Sequence, residues 1–218
     1  MLKPHYTTQR VEAGCDEVGR GCLAGPVVAA AVILPRDYHH PLLKDSKQIA
    51  PAQRLLLSTI IREVALAWAI GQASPAEIDR LNILHASHLA MHRAITLLKH
   101  APELLLIDGN RFRSYKGIPH VCIVQGDAQF SAIAAASVLA KTHRDAYMHT
   151  LAAQYPGYHW DKNVGYPTPA HRHAIQQLGI TLHHRKTFRL AASNLASPTN
   201  QPLNHTQGPR PTNDTQAS

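Results

Sequence analysis

Cysteine is scarce in this chain. Cys15, Cys22 and Cys122 make an odd number and form no CxxC pair, which argues against a disulfide framework and a structural zinc site. They read as buried, reduced thiols. Long apolar runs are missing as well. The longest uninterrupted one, Val27 to Leu34, falls far short of the roughly 20 residues that span a bilayer. The first residues, MLKPHYTTQR, lack the apolar stretch of a secretory signal. The expectation is a soluble, cytoplasmic protein, monomeric and without membrane contact. Acids are few, 14 Asp and Glu against 22 Lys and Arg, for a net charge of +8. That balance points to an acidic partner, nucleic acid ahead of an anionic membrane. The 16 histidines are scattered without tight ligand spacing and read as surface or supporting groups.

What is present is a chain that is 44% hydrophobic, enough to build a real core at this length. Val11 to Gly19 starts as a strand and is broken by Gly19 and Gly21. Val27 to Leu34, closed by Pro35, is a buried strand by its length and its unbroken apolar character. Val64 to Ile70 reads as another, ending at Gly71. Ser74-Pro75-Ala76-Glu77 opens a helix, with Ser74 as N-cap, Pro75 in the first turn and Glu77 closing a capping box. Its apolar spacing runs from Ile78 to Leu98, with an interruption near Asn82. Leu104 to Ile107 and Ile118 to Val124 are short strands stopped by turns. Phe130 to Leu151 is a helix with a small-residue face, and Thr168 to Leu178 is a further helix. Strands followed by long helices indicate an α/β architecture, and the short early connections require part of the sheet to be antiparallel. Residues 1–10 are a short extension and 11–193 the folded domain. Residues 194–218, rich in Pro, Asn, Thr and Gln, are expected to be a disordered tail.

Acids at the ends of apolar strands require explanation, because an unpaired buried carboxylate is costly. Asp16 and Glu17 end the first strand, Asp108 ends LLLI, and Asp127 follows VCIV at the start of a helix. Each has an ordinary reading: Asp127 as an N-cap, Asp108 as a turn residue, Asp16 and Glu17 as exposed turn acids. Their coincidence on three segments favours an oxygen-ligand site for Mg²⁺ or Mn²⁺, of the kind used in two-ion phosphodiester hydrolysis. Asp145 is excluded from that site. It lies about 27 Å along the helix from Asp127 by helical rise, and is assigned to an ion pair with Arg144 or a neighbour. Asp16 and Glu17 pose a geometric problem, since adjacent strand residues point to opposite faces. Either the chain bends at Glu17 or Glu17 contributes through its carbonyl. Gly19-Arg20-Gly21 reads as backbone that approaches a ligand closely, with Arg20 able to bind phosphate bidentately.

These stretches together resemble one family. AGCDEVGRGCLAGPVVAAAVIL, Asp45-Ser46-Lys47, LLIDGN, VQGDAQFSAIAAASVLAKTHRD, GYPTPAH and HHRKTFR are similar in order and spacing to ribonuclease HII, from about Val11 to Arg189. The resemblance implies an RNase H-like fold, a mixed central β-sheet flanked by helices with additional C-terminal helices. It implies hydrolysis of the RNA strand of RNA–DNA hybrids and incision at single ribonucleotides in duplex DNA, leaving 5′-phosphate and 3′-hydroxyl ends. It places the metal-binding acids on Asp16, Glu17, Asp108 and Asp127, with two Mg²⁺ or Mn²⁺ ions. Gly19, Arg20 and Gly21 would recognise the 2′-hydroxyl, Tyr166 would sense the RNA-to-DNA junction, and Lys47 would lie near a backbone phosphate. Arg185 and Lys186 are further candidates for the same cationic face. Gln125 and Val164 depart from the family pattern, standing where Lys or polar residues are common. About ten residues precede the first strand, which leaves no room for the extra N-terminal domain of the related ribonuclease HIII.

Overall fold

The computed structural model describes residues 2–43 and 49–190. Lys47 and the tail 194–218 lie outside the described residues. Five strands form one mixed sheet: β1 (Glu12–Val18), β2 (Val27–Ile33), β3 (Ala67–Ala73), β4 (Leu104–Asp108) and β5 (His120–Ile123), in the order β3-β2-β1-β4-β5. β1 to β3 pair antiparallel, while β1, β4 and β5 run parallel. The parallel half brings the carboxyl ends of β1 and β4 side by side. Cys15 pairs with Ile107, so Asp16 and Asp108 are the next positions on neighbouring strands.

Every residue of β2 is buried, because helices cover both faces of the sheet. One face meets α3 (Ile83–Thr96) in a cluster that includes Ala13, Cys15, Ala90, Met91 and Ala94. The other meets α1 (Pro51–Val64) and α4 (Ser131–Gln154) through Val28, Val32, Leu57, Ile61 and the alanines of α4. The small face of α4 serves close approach. A Cβ on Gly14 would collide with the backbone of Ala132 and Ile133, so glycine at this point of β1 lets the first turn of α4 lie against the strand. A third cluster joins Leu23, Met148, Tyr158, Trp160 and Ile175, packing α5 (Trp160–Asn163) and α6 (Pro169–Leu178) beneath α4. Among the described residues no helix is long and apolar enough to cross a membrane.

The capping box at Ser74 is present, with Glu77 Oε2 accepting from the Ser74 N–H at 2.9 Å. The expected interruption falls at Asn82, whose φ of 64° ends α2 (Pro75–Leu81) and whose Oδ1 caps α3 by accepting from Leu84 and His85. The strand expected over Val64 to Ile70 is shifted. Val64 is the last residue of α1, whose buried positions Arg54, Leu57, Ser58 and Ile61 keep helical spacing. Strand β3 continues through Gly71 to Ala73. Gly71 does not stop it, because the glycine accommodates the Ala90 carbonyl and Ala94 amide of α3 where a side chain would collide. Of the three cysteines, Cys15 and Cys22 are buried and Cys122 is half-buried; all are free.

Candidate active site

β1 keeps regular pairing with β2 through Val18↔Val28, so the strand does not bend at Glu17. The turn comes at Gly19, with φ of 91°. Asp16 and Glu17 accordingly project to opposite faces of the strand. Asp16 shares the α4 side with Gly14 and is 6% exposed, and it hydrogen-bonds Ser137 of α4. Its Oδ1 also accepts the N–H of Glu17 at 2.6 Å. Glu17 shares the α3 side with Ala13 and Cys15. It lines a cleft of about 310 Å³ with Arg20, Ser87, His88, Asp108, Asn110 and Arg111, and its Oε1 accepts from Arg20 at 2.9 Å. A strand that terminates at the rim of the sheet delivers both faces to one end.

Asp108 lies between them. Its Oδ1 accepts the N–H of Gly126 at 2.8 Å, which ties the end of β4 to the 3-10 turn Gly126–Ala128. Asp127 sits within that turn, 7% exposed. It is not the N-cap of α4, a position held by Phe130 without a side-chain cap. Asp16 senses the other three carboxylates. Burial first, then the charges of Glu17 and Asp108, push the Asp16 carboxyl well above the usual range; the Ser137 bond offsets part of this and Asp127 adds to the rise. Glu17 is also raised, chiefly by burial and by Asp108, against the lowering influence of Arg20. Buried acids raised by their neighbours are a functional signature, because a folded core otherwise avoids them.

The donor set is carboxylate oxygen throughout, which suits a hard divalent cation. A cation between these side chains would relieve the repulsion that raises Asp16 and Glu17. As placed, no three His, Cys, Asp or Glu side chains among the described residues converge on one point. Each acid is held by a local partner, Glu17 most plainly by Arg20.

The segment Gly19 to Pro26 is fixed by two fully buried arginines. Arg185 donates from Nη2 to the Gly19 carbonyl at 2.7 Å, from Nη1 to the Arg20 carbonyl at 2.9 Å, and from Nε and Nη2 to the Gly25 carbonyl. Arg144 donates to the carbonyls of Ala24, Pro26 and Val164. One sequence expectation is corrected here and another is narrowed. Arg185 is 0% exposed, so it belongs to the scaffold of the loop and not to a cationic surface. Asp145 pairs with Lys141 at 2.8 Å and Arg54 at 3.3 Å, because the Arg144 guanidinium is already committed to carbonyls. Gly19 is required by its positive φ and by the Arg144 side chain packed against it. Gly21 differs: its φ is not positive, and a Cβ there would meet nothing within 4 Å. Nothing inside the protein demands glycine at that point.

Tyr166 reaches the same loop from far along the chain. Gly165 accepts the N–H of Leu23 at 2.8 Å, and a side chain on it would strike the Ala24 carbonyl. The Tyr166 ring is 37% exposed, with the Arg144 guanidinium 5.9 Å from its centroid and Cys22 bonded to its hydroxyl. The fold thus brings together Asp16, Glu17, Asp108, Asp127, the Gly19-Arg20-Gly21 loop and Tyr166. Sequence reasoning missed Ser137, counted only as part of the small face of α4, and the positioning arginines Arg144 and Arg185. An arginine inside an apolar helix was the available signal for the first.

Likeness to solved structures defines the fold class. Ribonuclease H2 from Pyrococcus horikoshii OT3 matches with a TM-score of 0.71 at 23% identity, over 82% of this chain and 94% of that one. Bst-RNase HIII in complex with Mn²⁺ matches with a TM-score of 0.62 at 20% identity, over 77% and 61%. The architecture is that of the type 2 ribonucleases H. The family model for ribonuclease HII matches residues 13–191, and ribonuclease HII of Parabacteroides distasonis is 59% identical over 89% of this chain and 98% of its own length. The chain belongs to the ribonuclease HII family of RNase H endoribonucleases.

Proposed function

We propose that the protein is a divalent-metal-dependent endoribonuclease that cleaves the RNA strand of RNA–DNA hybrids and incises at single ribonucleotides in duplex DNA, leaving 5′-phosphate and 3′-hydroxyl ends. The observation that carries this reading is the gathering of Asp16, Glu17, Asp108 and Asp127 at one rim of the sheet, where burial and the neighbouring carboxylates raise Asp16 and Glu17. These residues would hold Mg²⁺ or Mn²⁺, which supplies water activation and stabilisation of the leaving oxygen in phosphodiester hydrolysis. Ser137 and the Gly126 amide orient Asp16 and Asp108 for that task. Arg20 opposes part of the rise at Glu17 through its charge and its hydrogen bond.

Recognition follows from the loop beside the acids. The 2′-hydroxyl is what separates RNA from DNA at a given site, and backbone groups of Gly19, Arg20 and Gly21 can bond it without reading a base. The open side of Gly21 supports close approach by the strand. The half-exposed ring of Tyr166 would stack on the deoxyribose beyond the junction, where a ribose hydroxyl would crowd it. Lys47 is assigned to a neighbouring backbone phosphate.

The test uses duplex DNA with one embedded ribonucleotide beside an all-RNA/DNA hybrid, each with Mg²⁺, Mn²⁺ or EDTA. Incision of both duplexes with metal and of neither with EDTA is expected, with fragments that DNA polymerase extends directly from the 3′-hydroxyl. An intact single-ribonucleotide duplex in every metal would refute the assignment.

A further inference from the structure

The cleft on the α3 side of Glu17 contains a cation without a hydrogen-bond or ion-pair partner among the described residues. Arg111 lines it with Glu17, Arg20, Asp108 and Asn110. Arg20 is engaged by Glu17, whereas the Arg111 side chain makes no hydrogen bond or ion pair among the described residues. Its backbone is firmly held. The strap that follows β4 lies along α3, where His88 Nε2 bonds the Arg111 carbonyl at 3.1 Å and His92 Nε2 bonds the Arg113 carbonyl at 2.7 Å. The imidazoles therefore donate, which fixes their Nε2 protonation. Phe112 is wedged edge-on against His88, His92 and His120, with centroids 5.8, 5.2 and 5.2 Å apart. A free guanidinium on a fixed strap costs less to order on binding than one on a mobile loop.

We propose that this cleft is an anion subsite, in which Arg111, with Asn110 beside it, binds the backbone phosphate adjacent to the scissile one on the cleaved strand. Geometry favours a phosphodiester over other anions. The cleft shares Glu17 and Asp108 with the acid cluster, so a strand whose reacting phosphate lies over the carboxylates extends into it. A planar guanidinium matches two phosphate oxygens at once. His88 and His92 act as positioning residues for the strap. The assignment rests on the nuclease reading above and adds to it a residue and a site.

The experiment measures fluorescence anisotropy of a labelled single-ribonucleotide duplex in EDTA across a salt series, and steady-state incision with Mg²⁺. It uses the full chain as wild type, Arg111→Gln, Arg111→Lys and Lys116→Gln. Lys116 is an exposed cation of the same strap, outside the cleft, and serves as the control. Arg111→Gln is expected to weaken binding about fivefold and to lower the salt slope by about one, raising KM and leaving kcat within about twofold. Arg111→Lys restores most of the salt slope, and Lys116→Gln changes neither quantity by more than about twofold. Unchanged slope and KM in Arg111→Gln, with an active wild type, would overturn the subsite alone. Equal losses in Lys116→Gln would also overturn it, in favour of diffuse charge attraction. A wild type that neither binds nor incises the duplex would remove the nuclease reading and the subsite together.

Discussion

Two buried clusters of titratable side chains lie on either side of the Gly19 to Pro26 loop, and they are built on opposite terms. Beneath the loop, His171 and His184 form a closed network. The Thr181 N–H donates to His184 Nδ1 at 2.9 Å, which places the His184 proton on Nε2. His171 Nδ1 bonds the Tyr166 carbonyl at 2.9 Å, so its Nε2 is free to accept from Trp160 at 3.0 Å and from His184 at 3.3 Å. Both imidazoles are neutral and satisfied, and burial lowers both pKa values, that of His184 to about 3. At the sheet rim Asp16 and Glu17 are raised instead, by burial and by the neighbouring carboxylates. A neutral, hydrogen-bonded cluster holds a fold together, while a cluster of like charges buried side by side marks where stability has been exchanged for chemistry. Arg185 adjoins both, since it follows His184 in sequence and grips the loop that follows Glu17.

The contrast is broken most severely at Asp16. Asp16→Asn should reduce incision by at least about a thousandfold, as loss of a group acting directly in a reaction does, yet the folded protein should become more stable. The sign follows from linkage. A carboxyl raised in the folded state imposes no penalty below the unfolded pKa near 3.8, and its destabilisation grows as pH rises from there toward the folded value. At pH 7 the amide removes that penalty, and Tm should rise by about 2–4 °C for each kcal/mol regained. Calorimetry beside an incision assay checks both halves; a destabilised Asp16→Asn would contradict the frustrated reading of the rim. The next effect is at Arg185. Arg185→Lys keeps the charge but cannot span the carbonyls of Gly19, Arg20 and Gly25, so it should cost about 2–3 kcal/mol. It should also lower kcat/KM about tenfold through the displaced loop, measured after matching the folded fraction by circular dichroism.

The rim was legible in the sequence and the network beneath the loop was not, for a physical reason. Asp16, Glu17 and Asp108 stand at the ends of apolar strands, where a carboxylate is out of place whatever the tertiary structure. The strands themselves and the Ser74 capping box follow from local periodicity and capping. By contrast His171 and His184 are ordinary in their local sequence, and their partners Trp160, Thr181 and Tyr166 meet them only after α5 and α6 have packed. Arg185 was read as a surface cation because charge alone does not reveal burial; its partners are carbonyls, which carry no side-chain signature. Gly71 was read as a terminator since the approach of α3 is a property of the packed pair. The adjacent acids resolved in a third way, since a regular strand ending at the rim sends Asp16 and Glu17 to different faces of the same site.

The histidine cluster can be sharpened from its own side. His184→Phe keeps a flat ring in the core but leaves the Thr181 amide without its acceptor and removes one donor to His171, a loss of about 2 kcal/mol at pH 7. Its pH signature is more specific. A histidine whose folded pKa lies near 3 is neutral in the fold and protonated in the unfolded chain below its ordinary value of 6.5. Its contribution is therefore fully present above 6.5 and is lost as pH falls toward 3, by about 1.4 kcal/mol per pH unit. The variant should show a shallower acid limb in denaturant titrations between pH 6.5 and 4, so that the two proteins converge and cross near about pH 5. Parallel limbs would mean that His184 is not buried neutral.

The smallest change tests whether the cluster is truly separate from the chemistry. Tyr158 stacks on Trp160 at 5.0 Å and donates from its hydroxyl to the Gly179 carbonyl at 3.2 Å. Tyr158→Phe retains the stack and removes that one bond, leaving a buried carbonyl at the end of α6 with a lone partner lost. The cost should be about 1 kcal/mol, seen as a Tm lower by about 2–4 °C. Incision rates at 25 °C should match wild type, because neither Arg185 nor Tyr166 depends on the Gly179 carbonyl for position. A fall in kcat without a matching fall in stability would show that strain in α6 reaches the reading loop through the histidine network.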